Sequence, residues 1–510
     1  MENANRLVAV VEIGSTGIRL LVAEIFPDGK WQALDRAGKP VALGRDVFTT
    51  GQVSRESFLE CILVLKNFRE FIRGWGTDDK DIHVIATSAL REARNRDIFI
   101  DRVRLETGFM LTIVDGIEEN RLMYLAVRFA LKNDLPLFWR ANSMILEMGG
   151  GSTEIMLLRR GQMVAAHSLK LGTILIDQAS RSGSSEVQER YVNENIRNAT
   201  DFLNSELDLS YVRTFVIAGS DASVAADKVG ANLNEHCGVI TREAFTEFVR
   251  KVRDYSNEEC MEKLRMSAWE VETFVPGLLV YKLLLERTGA AQVIVPKVSI
   301  REGLLIDLAQ GVDPALQEDF FSQILASAEN LGRKYHIDES HCRHVAKFCM
   351  VLFDALDREH GMTRRERMIL EAAAIVHEIG TFIRASNHNL HGQYIIANSE
   401  IFGLRRGELD IIGNVIRYHN GAAPSPTDIQ YVALQREERI LVLKMVALLR
   451  VADALDHGHS QRIKGITVEK KSETIALHTE GNRDLSLELI GLDEKSGLFQ
   501  DVFGYKIVVS

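Results

Sequence analysis

Residues 145–158 read ILEMGGGSTEIMLL. Two apolar runs flank three consecutive glycines and a Ser-Thr pair, with Glu147 before the break and Glu154 after it. Glycine weakens a strand interior and marks a turn or a close approach to the backbone. A carboxylate in a buried run is costly unless it is paired or meets a cation. The stretch therefore reads as a β-hairpin whose turn exposes backbone N–H groups, with Glu147 at the strand end beside it.

A second stretch has the same plan. Residues 10–21 read VVEIGSTGIRLL: a β-rich run, Glu12, one apolar residue, a glycine-led turn and a second apolar run. The first copy opens a meander that continues into helix-period and strand-like segments up to IEENRLMYLAVRFALKN; the plan then restarts at SMILEM. This weak internal repeat predicts two similar half-domains, each offering a hairpin turn to a shared cleft. From about residue 312 the texture becomes helical and rich in Leu, Ala and His. After about residue 462, GITVEKKSETIALHTEG, LSLELIGL and GYKIVVS alternate and read as strands. The expected division is 1–132 and 133–311 for the half-domains, 312–462 for a helical domain and 463–510 for a β-rich tail.

The chain has 510 residues, 46% hydrophobic and 26% charged, with a formal net charge of -10. That is ordinary for a globular protein of several domains and does not suit non-specific nucleic-acid binding. Five widely spaced cysteines without a C-x-x-C pair argue for a reducing compartment. No apolar run approaches a membrane span, and the N-terminal residues lack a signal pattern. The expectation is a cytoplasmic protein with no membrane and no nucleic-acid partner.

The two turns carry the chemistry. Glycine-rich turns with hydroxyls form phosphate cradles. Gly14, Ser15 and Thr16 serve in one turn; Gly149, Gly150, Gly151, Ser152 and Thr153 serve in the other. Glu12 and Glu147 cannot bind phosphate directly but can hold Mg²⁺ or its waters. In IVDGIEENRL, Asp115 and Glu118 fit an N-capping pair. Glu119 has no such employment and sits where a carboxylate can orient and deprotonate water. Arg91, Arg94 and Lys170 are candidates for local positive charge. An actin-like kinase would instead place an adenosine pocket near VIAGSDASV, residues 216–224.

ILEMGGGSTEI, GIEENRL, ATSALREARN, SLKLGT and VSIREGLL come in the order and spacing of the Ppx/GppA family of exopolyphosphatases and guanosine pentaphosphate phosphohydrolases, which the whole chain resembles. The resemblance implies an α/β fold of two actin-like (ribonuclease H-like) half-domains around a cleft, followed by an HD-like all-α domain and a small β tail. It implies Mg²⁺-dependent removal of terminal phosphate from inorganic polyphosphate, or from pppGpp to give ppGpp, with Mg²⁺ alone or accompanied by a monovalent cation, and a homodimer. Glu119 matches the family's catalytic base, Glu147 and Glu154 its acids around the glycine loop, expected with Glu12 as metal ligands, and Arg91 lies in the segment facing substrate phosphates. The family usually has Asp where this chain has Glu12 and Glu147, and Asn or Ser where it has Gly17. Each extra methylene extends a carboxylate by about 1.5 Å. The expectation is a re-spaced site; a catalytically weak polyphosphate- or alarmone-binding regulator is the alternative.

In the helical region, His344, His377-Glu378 and Asp453 resemble the HD-type metal phosphohydrolase pattern, with Glu378 where Asp is usual. His388, His391 and His419 add imidazoles. The expectation is a vestigial site whose histidines are hydrogen-bonded in the core.

Overall fold

The computed structural model describes residues 5–131, 136–180, 185–310, 314–481 and 484–509. The chain forms two compact units, Met1–Asp319 and Phe320–Ser510.

The first unit contains two sheets built on one plan. In the first, β1 (Arg6–Ile13), β2 (Gly17–Ile25) and β3 (Trp31–Pro40) form an antiparallel meander, and β4 (Ile82–Ala86) and β5 (Leu111–Ile113) add in parallel, giving the order β3-β2-β1-β4-β5. In the second, β6 (Asn142–Met148), β7 (Thr153–Arg159) and β8 (Gln162–Leu169) repeat the meander. There β9 (Val212–Ala218) and β12 (Gln292–Pro296) add in parallel, and β11 (Cys237–Thr241) and β10 (Ala231–Asn234) extend the edge. The repeat glimpsed in two short stretches thus covers five strands of each sheet. Central strands such as β1 and β6 are near-continuous apolar runs because helices cover both faces of the parallel part.

The two hairpin turns close identically. Gly14 N–H donates to the Gly17 carbonyl at 2.9 Å, and Gly149 N–H donates to the Ser152 carbonyl at 2.9 Å. Glycine at 17 has a steric cause: a Cβ there would lie 2.7 Å from the backbone oxygen of Lys39 on β3. The helix Gly116–Leu131 of the first half crosses the helix Ile300–Gln310 of the second at Gly303, where a Cβ would stand 2.0 Å from the Leu122 carbonyl. Arg121 locks this crossing, reaching Asp307 at 2.6 and 2.9 Å and Glu118 at 2.8 Å. Leu305 and Ala309 of the later helix pack on Val8, Val10 and Leu21 of the first sheet.

The second unit is mostly helical, with a sheet of β13 (Ile463–Lys470), β14 (Thr474–Gly481) and β15 (Lys506–Val509). One expectation fails here: LSLELIGL is not a strand but part of the helix Ser486–Lys495. Its leucines alternate, yet Glu488, Gly491 and Leu492, spaced three and one apart, are the residues that turn inward, leaving Leu487 and Leu489 exposed. No described helix is long and apolar enough to cross a membrane.

Candidate active site

Both glycine turns open into one cavity of about 730 Å³ in the first unit. Glu12, Gly14, Ser15, Thr16, Glu119, Glu147, Gly149, Gly150 and Ser152 all line it. The turns touch: a Cβ on Gly150 would stand 2.8 Å from Ser15 Cβ, and Ser15 Oγ is 3.0 Å from Ser88 Oγ. The helix Thr173–Ser180 starts directly beneath, its Thr173 and Ile174 N–H groups donating to the Gly149 and Gly150 carbonyls at 3.0 Å.

Glu119 is buried at the start of the helix Gly116–Leu131. Asp115 caps that helix through Glu118 N–H at 2.8 Å, while Glu118 itself turns to Arg121 rather than completing the capping pair. Glu119 Oε1 accepts from Arg91 Nη1 at 2.7 Å. Burial pushes the Glu119 carboxyl up to about 6; Arg91 opposes this, and Glu12 and Asp115 add to it. Burial, with Glu119 and Glu12 nearby, pushes Glu147 up to about 8. Asp221, at the start of the helix Ser220–Val229, is pushed up to about 7 by burial and then Glu270. The cleft thus crowds carboxylates together at electrostatic cost. An all-oxygen donor set of this kind suits a hard divalent cation such as Mg²⁺, and Glu12 and Glu147 stand on the cavity wall where such an ion would be held.

The structure places several anticipated residues elsewhere. Glu154 is buried beneath the loop and accepts from Ser168 Oγ at 2.7 Å, Ser152 Oγ at 2.9 Å and Asn120 Nδ2 at 3.0 Å, so it braces the turn instead of facing the cavity as a metal ligand. Thr153 is fully buried with its hydroxyl on the Leu171 carbonyl, and Gly151 lies against the Phe48 ring. Neither lines the cavity, whereas Ser152, Gly149 and Gly150 of the same turn do. Arg91 is engaged with Glu119 and the Val114 carbonyl rather than presented to phosphates. Arg94 clamps the Thr50 carbonyl at 2.7 Å, and Lys170 is an exposed side chain near Glu92.

The positive charge comes from residues not singled out in the sequence. Arg19, Arg36, Lys39, Lys297 and Arg301 line the cavity. Arg301 Nε lies 3.1 Å from Glu12 Oε2, and Arg19 Nη1 lies 3.9 Å from Glu12 Oε1. Arg301 and Asp221 each sit inside quoted motifs, VSIREGLL and VIAGSDASV, but their roles depend on neighbours far along the chain. In the second unit, His344 leaves the anticipated group: its Nε2 is bonded to the Ile463 carbonyl at 2.7 Å. His341 takes its place beside His377 and Asp453.

The model of the Ppx/GppA phosphatase family matches residues 21–311, and that of Ppx/GppA phosphatase domain III matches residues 325–495. The chain belongs to the Ppx/GppA phosphatase family. Among its relatives, a protein of Photobacterium profundum named guanosine-5'-triphosphate,3'-diphosphate pyrophosphatase is 23% identical over 466 residues, covering 89% of this chain and 88% of its own. A protein of the same name from Vibrio atlanticus is 22% identical over 514 residues, covering 97% of each. The solved Ppx/GppA member of Aquifex aeolicus shares 24% identity with a TM-score of 0.50, covering 61% of this chain and 99% of that one. An exopolyphosphatase of Cytophaga hutchinsonii shares 19% identity with a TM-score of 0.54, covering 60% and 99%. These neighbours agree with the two actin-like half-domains of the first unit.

Proposed function

We propose that the first unit is a phosphoanhydride hydrolase that removes the terminal phosphate of inorganic polyphosphate. The observation that carries the reading is the convergence of Glu119, Glu12, Glu147 and both glycine turns on one cavity. A terminal phosphoryl lies between the turns, where N–H and hydroxyl donors spread its charge. Glu119 takes a proton from a water placed in line with the leaving oxygen. A carboxyl poised near about 6 is ionised at neutral pH and still basic enough for that task. Glu12 and Glu147 would hold Mg²⁺, whose charge would offset that of the phosphoryl oxygens. Arg19, Arg36, Lys39 and Arg301 give the rest of an anionic chain its counter-charge.

Hydrolysis of pppGpp is the second reading, favoured by the names of the relatives matched along nearly the whole chain. Against it, the described residues lining the cavity include no aromatic ring on which a guanine would stack. Phosphate release with Mg²⁺ from long-chain polyphosphate and from pppGpp, measured in parallel for the wild type and Glu119→Gln, tests both. Release from polyphosphate that collapses in the variant supports the proposal. Release from pppGpp alone moves it to the nucleotide. Tight binding without release from either makes the protein a binding regulator.

A further inference from the structure

Four imidazoles in the second unit share one arrangement. His341 Nδ1 donates to Asp456 Oδ2 at 2.9 Å, His377 Nδ1 to the Ala374 carbonyl at 2.7 Å, His388 Nδ1 to the Ala385 carbonyl at 3.0 Å and His419 Nδ1 to the Ile416 carbonyl at 2.6 Å. Each acceptor lacks a proton, so each Nδ1 carries one, and the neutral form of each ring has its Nε2 lone pair to offer a cation. Such outer bonds are how ligating histidines are oriented.

Those Nε2 atoms converge with two carboxylates. His341 and His377 are fully buried, and neither Nε2 has a hydrogen-bond partner. They lie 3.4 and 3.8 Å from Asp453 Oδ1. Lys495 occupies the other Asp453 oxygen at 2.5 Å, leaving Oδ1 to face the rings. Beside this triangle is a second one. His388 Nε2 is 3.0 Å from His419 Nε2, and Glu378 Oε1 is 3.3 Å from the former and 3.9 Å from the latter. Ligands bound at about 2.1 Å on a tetrahedral ion are separated by roughly 3.4 Å, in keeping with these edges. The triangles adjoin: ligand atoms of His377, Glu378 and His419 all lie within 4.8 Å of one another, as do those of His341, Glu378 and His459.

We propose that the second unit carries a two-ion divalent transition-metal centre, His341, His377 and Asp453 holding one ion and Glu378, His388 and His419 the other. Two facing Nε2 lone pairs at 3.0 Å repel unless a positive centre meets them, and the buried Nε2 atoms of His341 and His377 are costly if nothing accepts their lone pairs. Imidazole-rich donors favour Fe, Ni or Zn, and the mixed histidine and carboxylate set also admits Mn, over the Mg²⁺ suited to the carboxylate cleft of the first unit. Glu378, near both triangles, is the bridging carboxylate. It and His388 keep 15% and 12% of their side-chain surface exposed, so ions and an anionic ligand can reach the centre from solvent.

The test uses the full chain, stripped with chelator, reloaded with Mn²⁺ or Zn²⁺ in excess Mg²⁺ so that the cleft is occupied, and desalted. Elemental analysis then counts retained ions. About two per chain are expected, with His341→Ala and His419→Ala each losing about one and His344→Ala keeping both. Co²⁺ substitution gives a second readout, a visible absorption band of nitrogen-ligated Co²⁺ that weakens in Glu378→Gln. Circular dichroism and the thermal melting of the second unit report whether each variant is folded. No retained ion in the folded wild type overturns the proposal, as does equal loss in His344→Ala and His341→Ala. Retention of a single ion overturns the two-ion assignment.

Discussion

Arg91 Nη1 donates at once to Glu119 Oε1, at 2.7 Å, and to the Val114 carbonyl, at 2.8 Å, so one guanidinium ties the proposed base to the end of the strand segment before its helix. Arg91 is a positioning residue in this arrangement. Its charge is also the main influence holding the Glu119 carboxyl down against burial.

Arg91→Ala should therefore move the acid limb of the pH–rate profile. Activity requires ionised Glu119, so it rises as pH passes the carboxyl's pKa. Losing an adjacent guanidinium removes a depression of roughly 1–3 units, and the limb shifts to higher pH by about that much. Arg91→Lys should recover part of the shift. An unmoved limb with a uniformly lower rate would mean that Arg91 serves only the loop.

The crowded carboxylates make a stability prediction. In the folded, metal-free chain Glu147 is held up to about 8 and Asp221 up to about 7, against ordinary values of 4.5 and 3.8. Between those limits the folded state binds more protons than the unfolded one, so stability falls as pH rises. Calorimetry of the metal-free chain should show the first unit melting lower at about pH 8 than at about pH 5. Mg²⁺ should raise the transition more at the higher pH, where fewer protons compete. Glu147→Gln, which has no charge to develop, should flatten the dependence; an equally steep curve in that variant would sink the account.

What could be read in the sequence was what lies close along the chain. The glycine turns, Glu12, Glu147 and Glu119 each sit within a few residues of the feature that gives them meaning. Arg301 reaches Glu12 across 289 positions (301 − 12) by way of the helix crossing at Gly303, and no local pattern announces that. Thr153 and Glu154 follow the glycines as Ser152 does, but they already belong to β7, which lies between β6 and β8 and is buried on both faces, so each points into the protein whichever face it takes. His341 and His344 are three apart on one helix, so their spacing alone did not decide which faces the core. Packing buries the first fully and gives the second to the Ile463 carbonyl.

Glu147→Asp tests the re-spacing directly. Restoring the shorter acid withdraws the carboxylate by about 1.5 Å from the position set by β6. A misplacement of about 1 Å in a catalytic constellation can cost on the order of 100-fold. The variant should need more Mg²⁺ for half-maximal phosphate release and turn over more slowly, with the fold unchanged by circular dichroism. Equal or better activity would show that the backbone never adjusted to the longer side chain.

Gly150→Ala separates the site's geometry from the stability of the unit. The added Cβ would stand 2.8 Å from Ser15 Cβ and 2.8 Å from Ile174 Cδ1, so the two turns must part or the helix Thr173–Ser180 must retreat. Overpacking of this kind costs about 1–3 kcal/mol, which a unit of this size survives. Parting the turns, however, spoils the distance at which both grip one phosphoryl. Phosphate release should fall by at least tenfold while thermal melting drops by only a few degrees. Gly76→Ala is the control, because its φ of 75° strains the backbone whereas a Cβ there meets nothing within 4 Å. It should lower the melting temperature without touching the rate. If both variants lose stability alone, contact between the turns is a matter of folding and not of catalysis.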